Sequence, residues 1–171
     1  MQDIFVEQLV RRTPTAATRL LQALVLLALV LLILPLCFSP MALLAVPLGV
    51  IAGFFAARWL LRRLQLEFEY SLTNGELDVA MIVGRQKRQE MLSLRSSAIQ
   101  YMAPVCPAHQ SEFENPGIQT TFNAVSSDHS DQRWFLLFQQ DGRLCRLIFE
   151  PKAELVDGLE RFAPVVVHRE K

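Results

Sequence analysis

The side chains able to do chemistry fall in a few short stretches. Cys106-Pro-Ala-His109 sets a thiol and an imidazole three residues apart, a spacing that metal sites use, and Ser-Asp128-His129-Ser-Asp131 places a second imidazole between carboxylates. A tetrahedral site needs four ligands in a fixed frame. Here one short pair has its partners about 20 residues away in a segment carrying Pro107, Pro116 and Gly117, so a polar loop is expected, with no metal and no cofactor. Ser93, Ser96 and Ser97 cluster after a strand, but no histidine is placed by sequence to activate them. His168 lies in the tail, and G-x-S-x-G, H-E-x-x-H and P-loop patterns are absent. The chain therefore reads as a non-enzyme with no catalytic residues.

The basic side chains are more informative. Arg85, Lys87 and Arg88 form the one basic cluster of the later chain, fit for surface contact or simply a solvated turn. Arg11, Arg12 and Arg19 precede a 38-residue uncharged run, Leu20 to Ala57, and Arg58, Arg62 and Arg63 follow it. At about 1.5 Å per residue and about 20 residues per crossing, the run fits two membrane spans and is too long for one. They are expected at about 17–38 and 41–60, turning at Ser39-Pro40. A cleaved signal peptide would have a much shorter apolar core and a small-residue cleavage site. The six arginines orient the hairpin with both termini in the cytoplasm; the reverse orientation would export a large domain and leave all six outside. Between Arg19 and Arg58 no side chain is charged, and Gln22 and Cys37 are the most polar side chains of the two helices. Gly49 and Gly53, with Ala52 and Ala56, make a small-residue stripe that allows close packing within the hairpin, or between protomers of a homo-oligomer.

These side chains must be positioned by three parts. Residues 1–13 suggest an interfacial helix, with Ile4, Phe5, Val6, Leu9 and Val10 on one stripe and Asp3, Glu7 and Arg11 opposite; docking on the later domain is the alternative. Thr13 and Pro14 suit the start of the helical hairpin, 14–63. From residue 64 the period changes to two. Asn74-Gly75 suits a type I′ turn and pairs Leu72 with Leu77, Tyr70 with Val79, Phe68 with Met81 and Leu66 with Val83, putting Glu67 and Glu69 on the other face. Asp141-Gly142 does the same for Phe138 with Cys145, Leu136 with Leu147 and Trp134 with Phe149. Between the hairpins, Gln89 to Leu94 and Ser97 to Ala103 read as strands, residues 104–132 as a long loop with a short strand near Ile118 to Phe122, and about 151–163 as an amphipathic closing helix.

Residues 1–63 hold six Lys/Arg against two Asp/Glu, and residues 64–171 eleven against fifteen. The later domain is thus acidic on balance, no nucleic-acid partner is expected, and three cysteines without framework spacing fit a reducing compartment.

The stretches "FEYSLTNGELDV", "GRQKRQEMLSL" and "AIQYM" resemble bacterial pleckstrin-homology-like (PH-like) domains. Together with "FVEQLVRRTPTA" and "LIFEPKAELVDGL", the chain is similar to an uncharacterised family of small bacterial two-span membrane proteins. The resemblance implies a membrane α+β architecture: an N-terminal two-helix transmembrane hairpin, then an antiparallel PH-like β-barrel or sandwich with a C-terminal helix, 64–171, in the cytoplasm. It carries over no activity; the "TNGE" turn lacks the basic residues that lipid-reading relatives place beside their first strand turn, and the acidic balance of the domain argues the same way. The expected role is a membrane-anchored interaction or scaffold module that contacts the bilayer and a protein partner. The alternative is an accessory or oligomeric subunit of a membrane complex such as a transporter, assembling through the second span.

Overall fold

The computed structural model describes residues 4–38, 40, 42–63 and 65–169; Ser39 and Met41 of the expected inter-helix turn, and the side chains of Cys37 and Arg63, lie outside the described residues. The chain runs β1 (Phe5–Arg11), α1 (Ala16–Ile33), α2 (Ala42–Arg63), β2 (Leu66–Thr73), β3 (Glu76–Val83), β4 (Lys87–Arg95) and β5 (Ile99–Pro104). It continues with a short α3 (Gln110–Phe113), then β6 (Ile118–Ala124), β7 (Trp134–Gln140), β8 (Arg143–Phe149) and α4 (Ala153–Phe162).

Both hairpins have the register their turn dipeptides dictate. Asn74 and Gly75 take φ of 49° and 88°, Asp141 and Gly142 take 52° and 75°, the positive values that a type I′ turn requires. Leu72 accordingly faces Leu77 and Tyr70 faces Val79, while Phe138 faces Cys145 and Leu136 faces Leu147. This alternation turns Phe68, Tyr70 and Leu72 toward Leu136, Phe138 and Phe149, and the two sheets pack on one buried core. The Tyr70 ring meets Phe149 edge-on at 5.7 Å, and its hydroxyl donates to the Ala124 carbonyl. α4 closes the core with Leu155, Val156 and Leu159, and Gly158 lets it approach so near that a Cβ there would lie 2.6 Å from Leu72 Cδ2.

Three expectations change. The start of the chain is not an interfacial helix: residues 5–11 are an edge strand paired with β2 from Phe5 opposite Thr73 to Arg11 opposite Glu67. Its period is two, with Val6, Gln8 and Val10 turned inward and Phe5, Glu7, Leu9 and Arg11 outward, so the β domain includes this segment and does not begin at residue 64. The sheets, ordered β1-β2-β3-β4 and β5-β7-β8-β6, do not close into a barrel. Nor is the second sheet wholly antiparallel, because β6 docks along the free edge of the β7–β8 hairpin and runs parallel to β8. Its parallel course is possible because the chain first crosses over through residues 105–117.

α1 and α2 are each long and apolar enough to cross a membrane. Thr15, rather than Thr13, caps α1, its hydroxyl accepting from the Thr18 amide at 3.3 Å. The helices meet along Gln22, Val25, Leu29 and Ile33 of α1 and Gly49, Gly53 and Ala57 of α2, every one of which is at least partly buried. Gly53 is the close point, since a Cβ there would fall 2.6 Å from Leu29 Cδ2. Ala52 and Ala56 point away and are exposed.

Candidate functional site

The helical hairpin takes the place of the turn between two neighbouring strands. β1 enters α1 through residues 12–15, α2 enters β2 through residues 64–65, and since β1 and β2 are paired, both helix stems leave the same end of the sheet. Short backbone bonds fasten that end: Arg12 N–H to Leu66 O at 2.9 Å, Thr13 N–H to Ser126 O at 2.8 Å, and Gly84 N–H to Gln65 O at 2.8 Å.

Where stems and sheet meet lies a cleft of about 390 Å³, lined by Arg11, Arg12, Thr18, Gln22, Gln65 and Arg85 among others. Its organiser is Glu67, whose Oε1 lies 3.0 Å from Arg11 Nε as an ion pair and accepts from Arg85 Nε at 3.2 Å. The carboxylate is only 11% exposed, whereas the two guanidinium-bearing side chains are 73% and 53% exposed. Pairs this exposed add little stability. Their consequence is geometric: one carboxylate holds two cations, which leaves the cleft with a net positive charge. Arg85 also has φ of 59°, a left-handed conformation uncommon for a residue other than glycine, asparagine or aspartate. It follows Gly84 at φ 62° in the β3–β4 turn, which is bonded to Gln65 through the Gly84 N–H and to Glu67 through the Arg85 side chain.

The other basic residues spread around this junction. Arg19 shares a neighbouring cleft with Arg12, Thr15, Ser126 and His129, and Arg58 and Arg62 line another with Gln65, Gly84 and Gln86. Lys87 opens β4, and Arg88 Nη2 pairs with Glu69 Oε1 at 2.6 Å on the outer sheet face. Arg85 thus belongs with Arg11, from which 73 residues separate it in sequence, and not with Arg88. Sequence reasoning missed Glu67 and Gln65 as parts of a site. The outward register assigned to Glu67 was the signal that could have found the first.

His109 and His168 occupy a different place. His109 Nδ1 and the Tyr101 hydroxyl are hydrogen-bonded at 2.7 Å, and His168 stacks on Tyr101 at 4.4 Å between centroids. Burial, with Glu112 and Cys106 nearby, pushes the Tyr101 phenol above its ordinary range. Tail residues reach this position because Met102 N–H donates to Val166 O and His168 N–H to Met102 O, both at 2.8 Å. Arg169 then ties the tail to Asp157 and Glu160 of α4 at 2.5 Å. Among the described residues, no three His, Cys, Asp or Glu side chains are grouped to hold a metal ion, and Asp128 instead accepts from Asn123 Nδ2 at 2.9 Å. Ser96 is buried and donates to the Gly75 carbonyl at 2.8 Å, closing the far turn.

Comparison with curated proteins and with solved structures finds no match. A family model described as "Bacterial PH-like domain (DUF6106)" matches residues 2–169, a span that takes in β1 and both apolar helices, and the chain belongs to that family.

Proposed function

We propose that the protein is a membrane-anchored interaction module: α1 and α2 cross the bilayer, both termini lie in the cytoplasm, and the PH-like sandwich is held at the inner surface to dock a protein partner. The observation that carries this reading is the splice of the helical pair between adjacent strands. A domain joined by one linker can roam, whereas two connections of four and two residues, cross-bonded at Leu66, Ser126 and Gln65, hold the sheet end against the helix stems. The helices themselves call for a nonaqueous surround: Leu24, Leu27, Leu31, Leu43, Phe54 and Phe55 are all more than 45% exposed, an apolar surface far beyond what a water-soluble monomer carries. The arginines at the stems favour the cytoplasmic side. Catalysis forms no part of this reading.

Gly53 faces α1 within the same chain and Gly49, one turn away, is partly buried, which supports a self-contained hairpin over assembly of a larger membrane complex through the second span. Crosslinking in native membranes, followed by identification of the captured proteins, tests the proposal. A specific partner attached through the sandwich is expected. Efficient crosslinking that recovers only this chain, or protease access to the sandwich from outside intact cells, would overturn it.

A further inference from the structure

We infer that the junction cleft seats one anionic phospholipid, its phosphate held by Arg11 and Arg85 and an acyl chain lying along the α1–α2 groove. This deepens the membrane reading above and rests on it. The head site is built rather than merely basic. Glu67 binds both guanidiniums through Nε, and the exposure of both side chains leaves their Nη groups available for the paired hydrogen bonds that an arginine gives a phosphate. Arg85 occupies this position with a left-handed backbone, φ 59°, in the β3–β4 turn.

The shape of the space argues for a whole lipid over a free phosphate. A second groove, about 330 Å³, lies between the helices, lined by Leu26, Phe54, Ala57 and Leu61 together with Arg58 and Arg62, and it shares Gln65 with the head cleft. On α1, Thr18 and Gln22 line the head cleft and Leu26 lines the groove, at successive four-residue steps on one helix face. Polar lining therefore passes into apolar lining along a single line, matching a phosphate joined to a hydrocarbon chain. Gln22, otherwise an oddly polar residue in an apolar helix, stands at that boundary.

The test uses the full-length protein in neutral detergent, titrated with phosphatidylglycerol, with phosphatidylcholine of equal chain length and with glycerol 3-phosphate, occupancy being read by native mass spectrometry. Phosphatidylglycerol is expected to bind best, and glycerol 3-phosphate not to bind at the same concentration. Arg11→Gln with Arg85→Gln should weaken phosphatidylglycerol about thirtyfold, roughly fivefold for each charge, and leave phosphatidylcholine unchanged. Lys87→Gln with Arg88→Gln removes the same charge outside the cleft and should change binding by less than about threefold. Equal losses in both pairs would mean diffuse attraction and overturn the proposal, as would equal binding of glycerol 3-phosphate or no preference between the lipids. Leu26→Trp provides a second route if the arginine pair fails to fold. It narrows the groove without altering charge and should reduce phosphatidylglycerol binding, and unchanged binding would count against the acyl groove. Alkaline carbonate extraction separates the two readings. An extractable chain defeats membrane anchoring itself, whereas a resistant chain with no lipid preference defeats only this inference.

Discussion

Replacing Gln8 by Leu should loosen β1 without disturbing the volume it fills. Gln8 is 7% exposed and faces inward, where its Nε2 donates to Glu150 O at 2.7 Å and its Oε1 accepts from Lys152 N–H at 2.7 Å. It thereby joins the first strand to the β8–α4 connection, which no backbone ladder reaches. Leu keeps the bulk and loses both bonds. Water can replace the partner of Lys152, which is exposed, at a cost of about 1 kcal/mol, while the carbonyl of buried Glu150 is left unpaired at about 1–3 kcal/mol. With a modest return from the added apolar contact, the net loss is about 2–3 kcal/mol, or roughly 10 °C in midpoint for a domain of this size. Thermal melts followed by tryptophan fluorescence in one detergent measure it, and hydrogen exchange locates it in β1. Glu7→Leu, on the outward face of the same strand, should be near neutral. A Gln8→Leu midpoint within about 2 °C of the parent, or unchanged exchange in residues 5–11, would refute the reasoning.

Other consequences are equally accessible. Gly53→Ala should destabilise the helical pair by about 1–3 kcal/mol because its methyl meets Leu29, and adding Leu29→Ala should recover much of that in a double-mutant cycle; additive losses would place the contact elsewhere. Gly158→Ala should destabilise despite alanine's better helix propensity, since Leu72 is fully buried at the point of contact; a raised melting temperature would show that the core yields. Burial pushes the Tyr70 phenol well above its ordinary value of 10.0. A raised folded pKa contributes stability that is complete below the unfolded value and fades as pH rises through the folded one, so stability should fall above about pH 10. Tyr70→Phe should flatten that decline while losing about 1 kcal/mol at neutral pH through the missing bond to Ala124, and an unchanged alkaline slope would mean other groups control it.

Both hairpins were legible because a positive-φ dipeptide and strict alternation act together at Asn74-Gly75 and Asp141-Gly142. α4 was legible from its apolar stripe between two prolines. β1 was not, for a physical reason: Phe5 and Leu9 are apolar yet point outward, and Gln8 is polar yet buried, so its true period of two is masked by a false helical stripe. The parallel placement of β6 depends on which sheet edge is free, information no local pattern carries. The cleft was half legible. Arg11 and Arg12 stood out as charges before an apolar run and Arg85 as part of a basic turn, but their joining through Glu67 requires knowing that β1 lies beside β2 and that the β3–β4 turn sits at the same end of the sheet.

The insertion of the helices between β1 and β2 also imposes an order of assembly. During synthesis β1 emerges first and can find no partner until more than fifty further residues, nearly all of them helix, have been made. Contacts so distant in sequence form late and slowly. The edge strand thus acts as a latch left open while the helices find their places, and the pairing of Phe5 with Thr73 is among the steps that close it. A chain whose helices failed to settle would present an unpaired β1 and an uncovered β2 edge together, a ready surface for aggregation and for quality-control proteases. Completion of the β sandwich would then itself report that the helical pair is in place.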